Sequence, residues 1–140
     1  TYELLETIEE AGIKVTINSS RCDGTFHGSY AYRGMARTMN LCPGDTVDDV
    51  DHETVRHETW HAIQHCINMM RGTPVNTPVV EDTNELAAVV NQELSSDLVS
   101  KIKASYPVDH WLIEFEAYLA ERTLTNADLQ KHFVDACTSY

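Results

Sequence analysis

Residues 52 to 71, "HETVRHETWHAIQHCINMMR", constrain this chain more than any other stretch. Read at helical spacing, Trp60, Ile63, Ile67 and Met70 fall on one apolar arc and Ala62, Cys66 and Met69 on a second sector. A helix here must therefore be buried around most of its circumference. Its one strongly polar side holds His57, Glu58 and His61. An apolar surround suits a site at the floor of a cleft better than a stripe facing solvent. The helix is expected to follow "GDTVDDVD", whose Asp48, Asp49 and Asp51 suit a helix N-terminus and its dipole, and to end at Arg71 before Gly72.

Histidines four apart on a helix sit one turn from each other, about 6 Å between Cβ atoms. Both imidazoles can then reach one tetrahedral ion at roughly 2.0–2.1 Å. Glu58 lies about 100° round the helix from His57 and about 60° from His61. It flanks such an ion without having to bind it, the place for a base that acts on water. The His-Glu-x-x-His pattern arises by accident in about 3% of shuffled chains of this composition, so the metal reading is preferred to a solvated polar face. His65, one turn further, reads as a packed or solvated histidine bordering the site. His52 is assigned to the helix start with no role.

A catalytic zinc site usually has three protein ligands and one open position. A metzincin would carry a histidine six residues beyond His61, where Ile67 stands, so that class is excluded. The second informative stretch is "WLIEFEAYLAER", residues 111 to 122. As a helix it puts Trp111, Leu112, Phe115 and Leu119 on a core face, Glu114, Ala117 and Glu121 on one flank, and Glu116 on the other. Small Ala117 would let the Glu114 flank approach the histidine helix closely.

"HETWH" followed by a later helix containing "EFEAYLAE" resembles the gluzincin-type zinc metallopeptidases, whose third ligand is a Glu on a separate helix. The Glu-Phe-Glu-Ala wording is similar to the CAAX prenyl protease and ImmA/IrrE families, whose Glu-x-x-Ala motif implies Glu114 as ligand. The thermolysin pattern, with the ligand directly before Ala, implies Glu116 instead; Glu114 is preferred. Where those families carry Asp or Asn four residues after the ligand, this chain has Tyr118. Glu121 or a backbone carbonyl is then left to orient a histidine. The small size is similar to that of the compact minigluzincins. The resemblance covers residues 26 to 122 in layout but few residues in motif.

The resemblance implies a zincin-like fold, one Zn²⁺ ion on His57, His61 and Glu114, and Glu58 as general base. It also implies an edge strand ahead of the active-site helix that pairs with an extended substrate; "RTMNLC", with Thr38, Met39, Asn40 and Leu41, stands there. Candidates for a donor to the oxyanion are Tyr118, Tyr106, His110, His65 and Arg71.

The rest of the chain reads as α+β in one domain, residues 1–140. "TYELLETIEEAG" is helical with Leu4, Leu5, Ile8 and Ala11 on one face, and "IKVTI" alternates as a half-buried strand. Residues 25 to 32 and 36 to 42 read as a hairpin, giving about three strands with an edge strand near 37–42. After the active-site helix, "TPVNTPVV" is a loop, and two to three further helices follow. The first is open to a break at Ser95-Ser96 and ends at Pro107; Asp109, and Asn126 or Thr125, are the expected caps of the others.

A formal net charge of −12 argues against nucleic acid and anionic membrane surfaces as partners; basic peptides fit it better, and plain solubility accounts for it equally. The peptidase resemblance implies a peptide or protein substrate, and the oligomeric state is open. No apolar run has the roughly 18 residues of a membrane span. The first residues lack a basic start and an apolar core, so no signal peptide is visible. A cytoplasmic location is expected, although a start at Thr1 is compatible with removal of a preceding segment. Cys22, Cys42, Cys66 and Cys137 contain no CxxC pair; two disulfides have three possible connectivities, and reduced thiols are preferred.

The leading expectation is a zinc-dependent peptidase. One alternative is a catalytically idle zinc-binding regulatory domain of the same fold, against which the intact Glu58 speaks. Another is a peptide deformylase-type hydrolase, which would need an upstream cysteine ligand in a Glu-Gly-Cys-Leu motif; Cys42 stands in "NLCPG" instead.

Overall fold

The computed structural model describes residues 2–17, 28–33, 36–41 and 52–138. Helix α1 (Tyr2–Glu10) buries Leu4, Leu5 and Ile8 on one face. The chain then turns at Gly12, whose φ of 93° only glycine adopts without strain, into β1 (Ile13–Ile17). Strands β2 (Gly28–Arg33) and β3 (Ala36–Leu41) complete an α+β fold with a three-stranded mixed sheet.

The strand order is β1-β3-β2. β1 runs parallel to β3, Ile13 opposite Arg37 through Ile17 opposite Leu41. β2 is antiparallel to it, from Gly28 opposite Leu41 to Arg33 opposite Ala36. This corrects the expected edge strand near 37–42. Thr38, Met39, Asn40 and Leu41 lie on a central strand whose two sides are both paired, so they offer no edge to a substrate. The physical reason is burial: Met39 and Leu41 are fully buried, whereas every residue of β2 is half-buried or exposed. The more apolar strand takes the centre, and β2 takes the border.

Helix α2 (His52–Arg71) is the spine of the molecule, packed against α5 (Trp111–Thr123), α6 (Asn126–Cys137) and β2. Asp48, Asp49 and Asp51, its expected caps, lie outside the described residues. At its C-terminus Gly72 adopts φ 70°, and the Thr73 N–H reaches back to the Asn68 carbonyl at 3.0 Å, the closing bond of a Schellman turn. Met69 and Met70, assigned to apolar sectors of the wheel, are 58% and 55% exposed, because this last turn runs beyond the core. The buried Asn68 side chain then organises the following loop through the Val75 and Thr77 carbonyls and the Thr73 hydroxyl.

The helical stretch after that loop does break at Ser95-Ser96. Asp82 caps α3 (Thr83–Glu93) through the N–H groups of Asn84 and Glu85, and Ser95 caps α4 (Ser96–Ser105) through Leu98. Four α-helices therefore follow α2, one more than the expected two to three, because the Ser95 hydroxyl starts a new helix instead of letting α3 continue. Asp109 does not cap α5. A 3₁₀ turn, Val108–His110, leads into that helix and leaves His110 at the cap position with no side-chain bond. Thr125 caps α6 in a reciprocal box with Asp128.

Two apolar clusters result. One joins α1, the sheet, α2 and α6 around Leu4, Ile8, Met39, Leu41, Ile63 and Phe133. The other joins α3, α4 and α5 around Leu86, Val90, Ile102 and Phe115. Helix α5 belongs to both: Ala117 and Ala120 face the first, Phe115 and Leu119 the second. Cys66 and Cys137 form a buried disulfide between α2 and α6, which overturns the expectation of reduced thiols for this pair. The apolar surroundings taken as the mark of free thiols are here the packed seam where the two helices meet. Cys22 and Cys42 lie outside the described residues. Among the described residues no helix is long and apolar enough to cross a membrane.

Candidate metal centre

His57, His61 and Glu114 meet at the contact of α2 with α5. The α2 pair needs only helical spacing to come together: the His57 and His61 Nε2 atoms are 3.2 Å apart. Glu114 arrives from α5, 53 residues on from His61, because Ala117, one turn along and fully buried, allows the helices to close. Its Oε1 lies 3.1 Å from each Nε2, and its Oε2 2.9 Å from that of His61. Among the described residues this is the group of three that can hold a metal ion.

The hydrogen-bond partners decide what kind of group this is. His57 Nδ1 faces a carboxylate oxygen of Glu121 at 3.2 Å, and a carboxylate only accepts, so that nitrogen carries a proton. His61 Nδ1 faces Gln64 Oε1 at 2.8 Å. The Gln64 amide is oriented without ambiguity, because its Nε2 donates to the Ile113 carbonyl and to Glu116, each at 3.0 Å. His61 Nδ1 therefore carries a proton as well. In both neutral imidazoles the lone pair is left on Nε2, and two such lone pairs face each other and a carboxylate.

Three electron-pair donors this close need positive charge among them. In the metal-free protein protons supply it. Burial opposes charge on His57, but the Glu114 and Glu121 carboxylates outweigh it and hold the imidazolium up to about 10. Burial likewise opposes charge on His61, which Glu114 nevertheless raises above its ordinary value. Burial would raise the Glu114 carboxyl, yet hydrogen bonds from the two histidines bring it down to about 2. A cation would take over from those protons. Bonds of roughly 2.0–2.1 Å at tetrahedral angles place neighbouring ligand atoms about 3.3–3.4 Å apart, within a few tenths of an ångström of the separations here. The residues present fit a metal ion.

Glu58 is 6% exposed. Burial raises its carboxyl above the ordinary value even though His61 and His57 act to lower it. It lies beneath the first residue of β2: a Cβ on Gly28 would come within 2.6 Å of Thr54 Cγ2, 3.0 Å of the Asn40 carbonyl and 3.4 Å of Glu58 Cγ. The absence of a side chain at Gly28 is what allows β2 to pass this close to α2.

The remaining candidates separate clearly. Glu116, the alternative ligand, is 3% exposed but turned to the other flank. There it accepts from Trp60 Nε1 at 2.8 Å, Gln64 Nε2 at 3.0 Å, and the Val79 and Val80 N–H groups at 2.8 and 2.9 Å. Its lone pairs are spent on N–H donors, so Glu114 is the third member of the group. Tyr118 packs its ring edgewise on His57, centroids 4.5 Å apart. Burial, with Glu114 next, raises both the Tyr118 and Tyr106 phenols and keeps them protonated. His110 lines a cleft of about 210 Å³ that opens beside His61 and Glu114. His65 packs rather than projecting into solvent: its Nδ1 is 2.7 Å from the Tyr30 hydroxyl, and burial keeps its imidazole below the ordinary pKa. Arg71 bonds the Val79 carbonyl and pairs with Glu81 at 3.6 Å. It is ten residues beyond His61, about 15 Å along the helix, and falls out as an oxyanion donor.

No family model, curated protein or solved structure matches this chain. The functional reading therefore stands on the geometry of the site itself.

Sequence reasoning missed Gln64 and the supporting task of Glu116. The signal for Gln64 was present, since it stands three residues after His61 on the same helix face. That for Glu116 was not, because its donors come from α2 and from the 79–80 segment at once.

Proposed function

We propose that this protein is a zinc-dependent peptidase. The observation that carries the reading is the convergence of two imidazole lone pairs and a carboxylate beside a buried glutamate, at the end of an open cleft. Two nitrogens and one oxygen suit zinc, and three protein donors leave a position open. Zinc held there would act as a Lewis acid, polarising a carbonyl and bringing the pKa of a water towards neutrality.

The chain's own groups do the rest. Glu58 takes the proton of the attacking water at its carboxylate and passes it to the leaving amine. Glu121 and Gln64 hold His57 and His61 with their Nε2 lone pairs pointing at Glu114. The protonated phenols of Tyr106 and Tyr118 are the donors available to a developing oxyanion. An extended substrate in the cleft would meet β2, a border strand among the described residues, through main-chain hydrogen bonds.

The test is metal content per chain, followed by hydrolysis of a peptide library by the native protein and by Glu58→Gln. One zinc per chain, with cleavage that falls by about 10²–10⁴ in the variant while zinc stays bound, is the expected result. Absence of bound zinc after reconstitution would overturn the reading.

A further inference from the structure

The cleft beside the donor group has walls that the proposed chemistry does not require. On one side Tyr32, from β2, lies flat on the imidazole of His65, from α2, with centroids 3.9 Å apart and planes 15° from parallel. Tyr30, two residues back and so on the same face of the strand, tilts against that imidazole at 5.7 Å and meets its Nδ1 with the phenol oxygen. Three rings from two elements thus hold each other in place. Val75 and Ile113, both apolar, line the same space. Asn76 is committed to the Asp109 carbonyl at 3.1 Å. Apart from Glu114, no carboxylate, lysine or arginine lines this space.

Tyr32 is 41% exposed while His65 beneath it is 7% exposed. A large ring that keeps much of its surface open, fixed by a stack and by the Tyr30–His65 bond below, is preorganised to receive something. Rigid aromatic surfaces bury much area on binding at little cost in conformational entropy. A volume of about 210 Å³ is ample for one ring, since a cavity of about 150 Å³ accepts benzene. It is too small for a folded partner.

We propose that Tyr32 and His65, braced by Tyr30, form a specificity platform for one aromatic or large aliphatic side chain of the substrate, in the residue that flanks the bond cut. The class of substrate is then a peptide with Phe, Tyr, Trp, Leu or Met at that position, in preference to Ala, Gly, Asp or Lys. This rests on the peptidase reading of the adjoining donor group, but the binding preference has its own readout.

Two measurements test it on the zinc-loaded full chain. The first is NMR titration with acetyl-phenylalaninamide, acetyl-leucinamide and acetyl-alaninamide, using native protein, Tyr32→Ala and Tyr32→Phe. The phenylalanine probe should bind at least tenfold tighter than the alanine probe. Tyr32→Phe should keep that ratio, and Tyr32→Ala should bring it near one with bound zinc unchanged. The second is the cleavage profile of a mixed peptide library, in which Tyr32→Ala should lower kcat/KM at aromatic sites at least tenfold and at alanine sites less than twofold. Equal binding of the two probes, or a preference that Tyr32→Ala leaves intact, overturns the platform whether or not the protein cleaves anything. Selective binding lost in Tyr32→Ala supports it even if no peptide is cut, and in that event only the peptidase reading falls.

Discussion

Two glutamates two residues apart on α5, Glu114 and Glu116, are both almost fully buried, yet they face opposite kinds of neighbour. Glu114 meets two imidazole nitrogens whose other ring positions already carry the protons. Glu116 meets four N–H donors from a tryptophan, a glutamine and two backbone amides. One carboxylate faces lone pairs that have to be matched by a proton or a cation, and the other is satisfied by neutral N–H donors. Burial by itself therefore does not mark a ligand; the polarity of the surrounding groups does. The two sides are nonetheless linked, because Glu116 holds Gln64, and the far end of the same amide holds His61.

The sharpest way to break this comparison is Glu114→Ala against Glu116→Ala, with zinc affinity measured by competition with a chelator. Glu114→Ala should lose more than the roughly 10–100-fold that outer partners cost. Glu116→Ala should fall within that range, since it acts through Gln64. If Glu116→Ala abolished binding and Glu114→Ala did not, the assignment of the third ligand would be reversed. Chemical denaturation of the metal-free protein gives a second reading of Glu116. Glu116→Ala leaves buried N–H groups unpaired, at about 1–3 kcal/mol for each group that finds no water, and should destabilise the metal-free protein by roughly 3 kcal/mol or more.

A pH series sharpens the same contrast. His57 is raised from 6.5 to about 10 in the metal-free fold. Its contribution to stability is fully present below about pH 6.5 and disappears as pH climbs through about 10. Glu114 is lowered from 4.5 to about 2, so its contribution is present above about pH 4.5 and disappears as pH falls through about 2. The thermal midpoint of metal-free protein should decline from pH 6.5 towards 10. With zinc bound the decline should vanish, because the ion replaces the proton; calorimetry in the two states checks this. An unchanged slope would mean that no cation takes the place of the proton.

The next effect concerns the roof of the site. Gly28→Ala puts a methyl against Thr54 and the Asn40 carbonyl and should destabilise by about 1–3 kcal/mol as β2 is pushed from α2. Cleavage should fall more steeply than zinc affinity, since β2 and the cleft wall it carries move while Glu58 and the donor group stay on α2 and α5. The smallest effect belongs to the α6 cap. Thr125→Ala should cost about 1 kcal/mol in denaturant unfolding and leave zinc binding within twofold.

Much of the site was legible because its core is local. His57, Glu58 and His61 are positioned by the 3.6-residue repeat alone, and the apolar surround of α2 could be read from Trp60, Ile63 and Cys66. The flank shared by Glu114, Ala117 and Glu121 followed from the same periodicity. Sequence could not rank Glu114 over Glu116 by chemistry, since both belong to one amphipathic helix and differ only in which neighbour they meet. Glu121 was one of two open candidates for orienting a histidine, and the fold sets it against His57. The edge strand was misplaced for a related reason. Alternation shows that residues 36 to 41 form a strand, but not which of its two sides another strand will occupy.

The sequence by itself determined the helices, the strands and the pairing of two imidazoles on one turn of α2, because each depends on contacts within a few residues along the chain. Only the tertiary structure decided the third donor, the Glu116–Gln64–His61 link, the Cys66–Cys137 bond, the border position of β2 and the ring platform beside the donors. Each of these depends on groups brought together across tens of residues, where the packing of Ala117 against α2 and the closeness allowed at Gly28 set distances that no local pattern encodes.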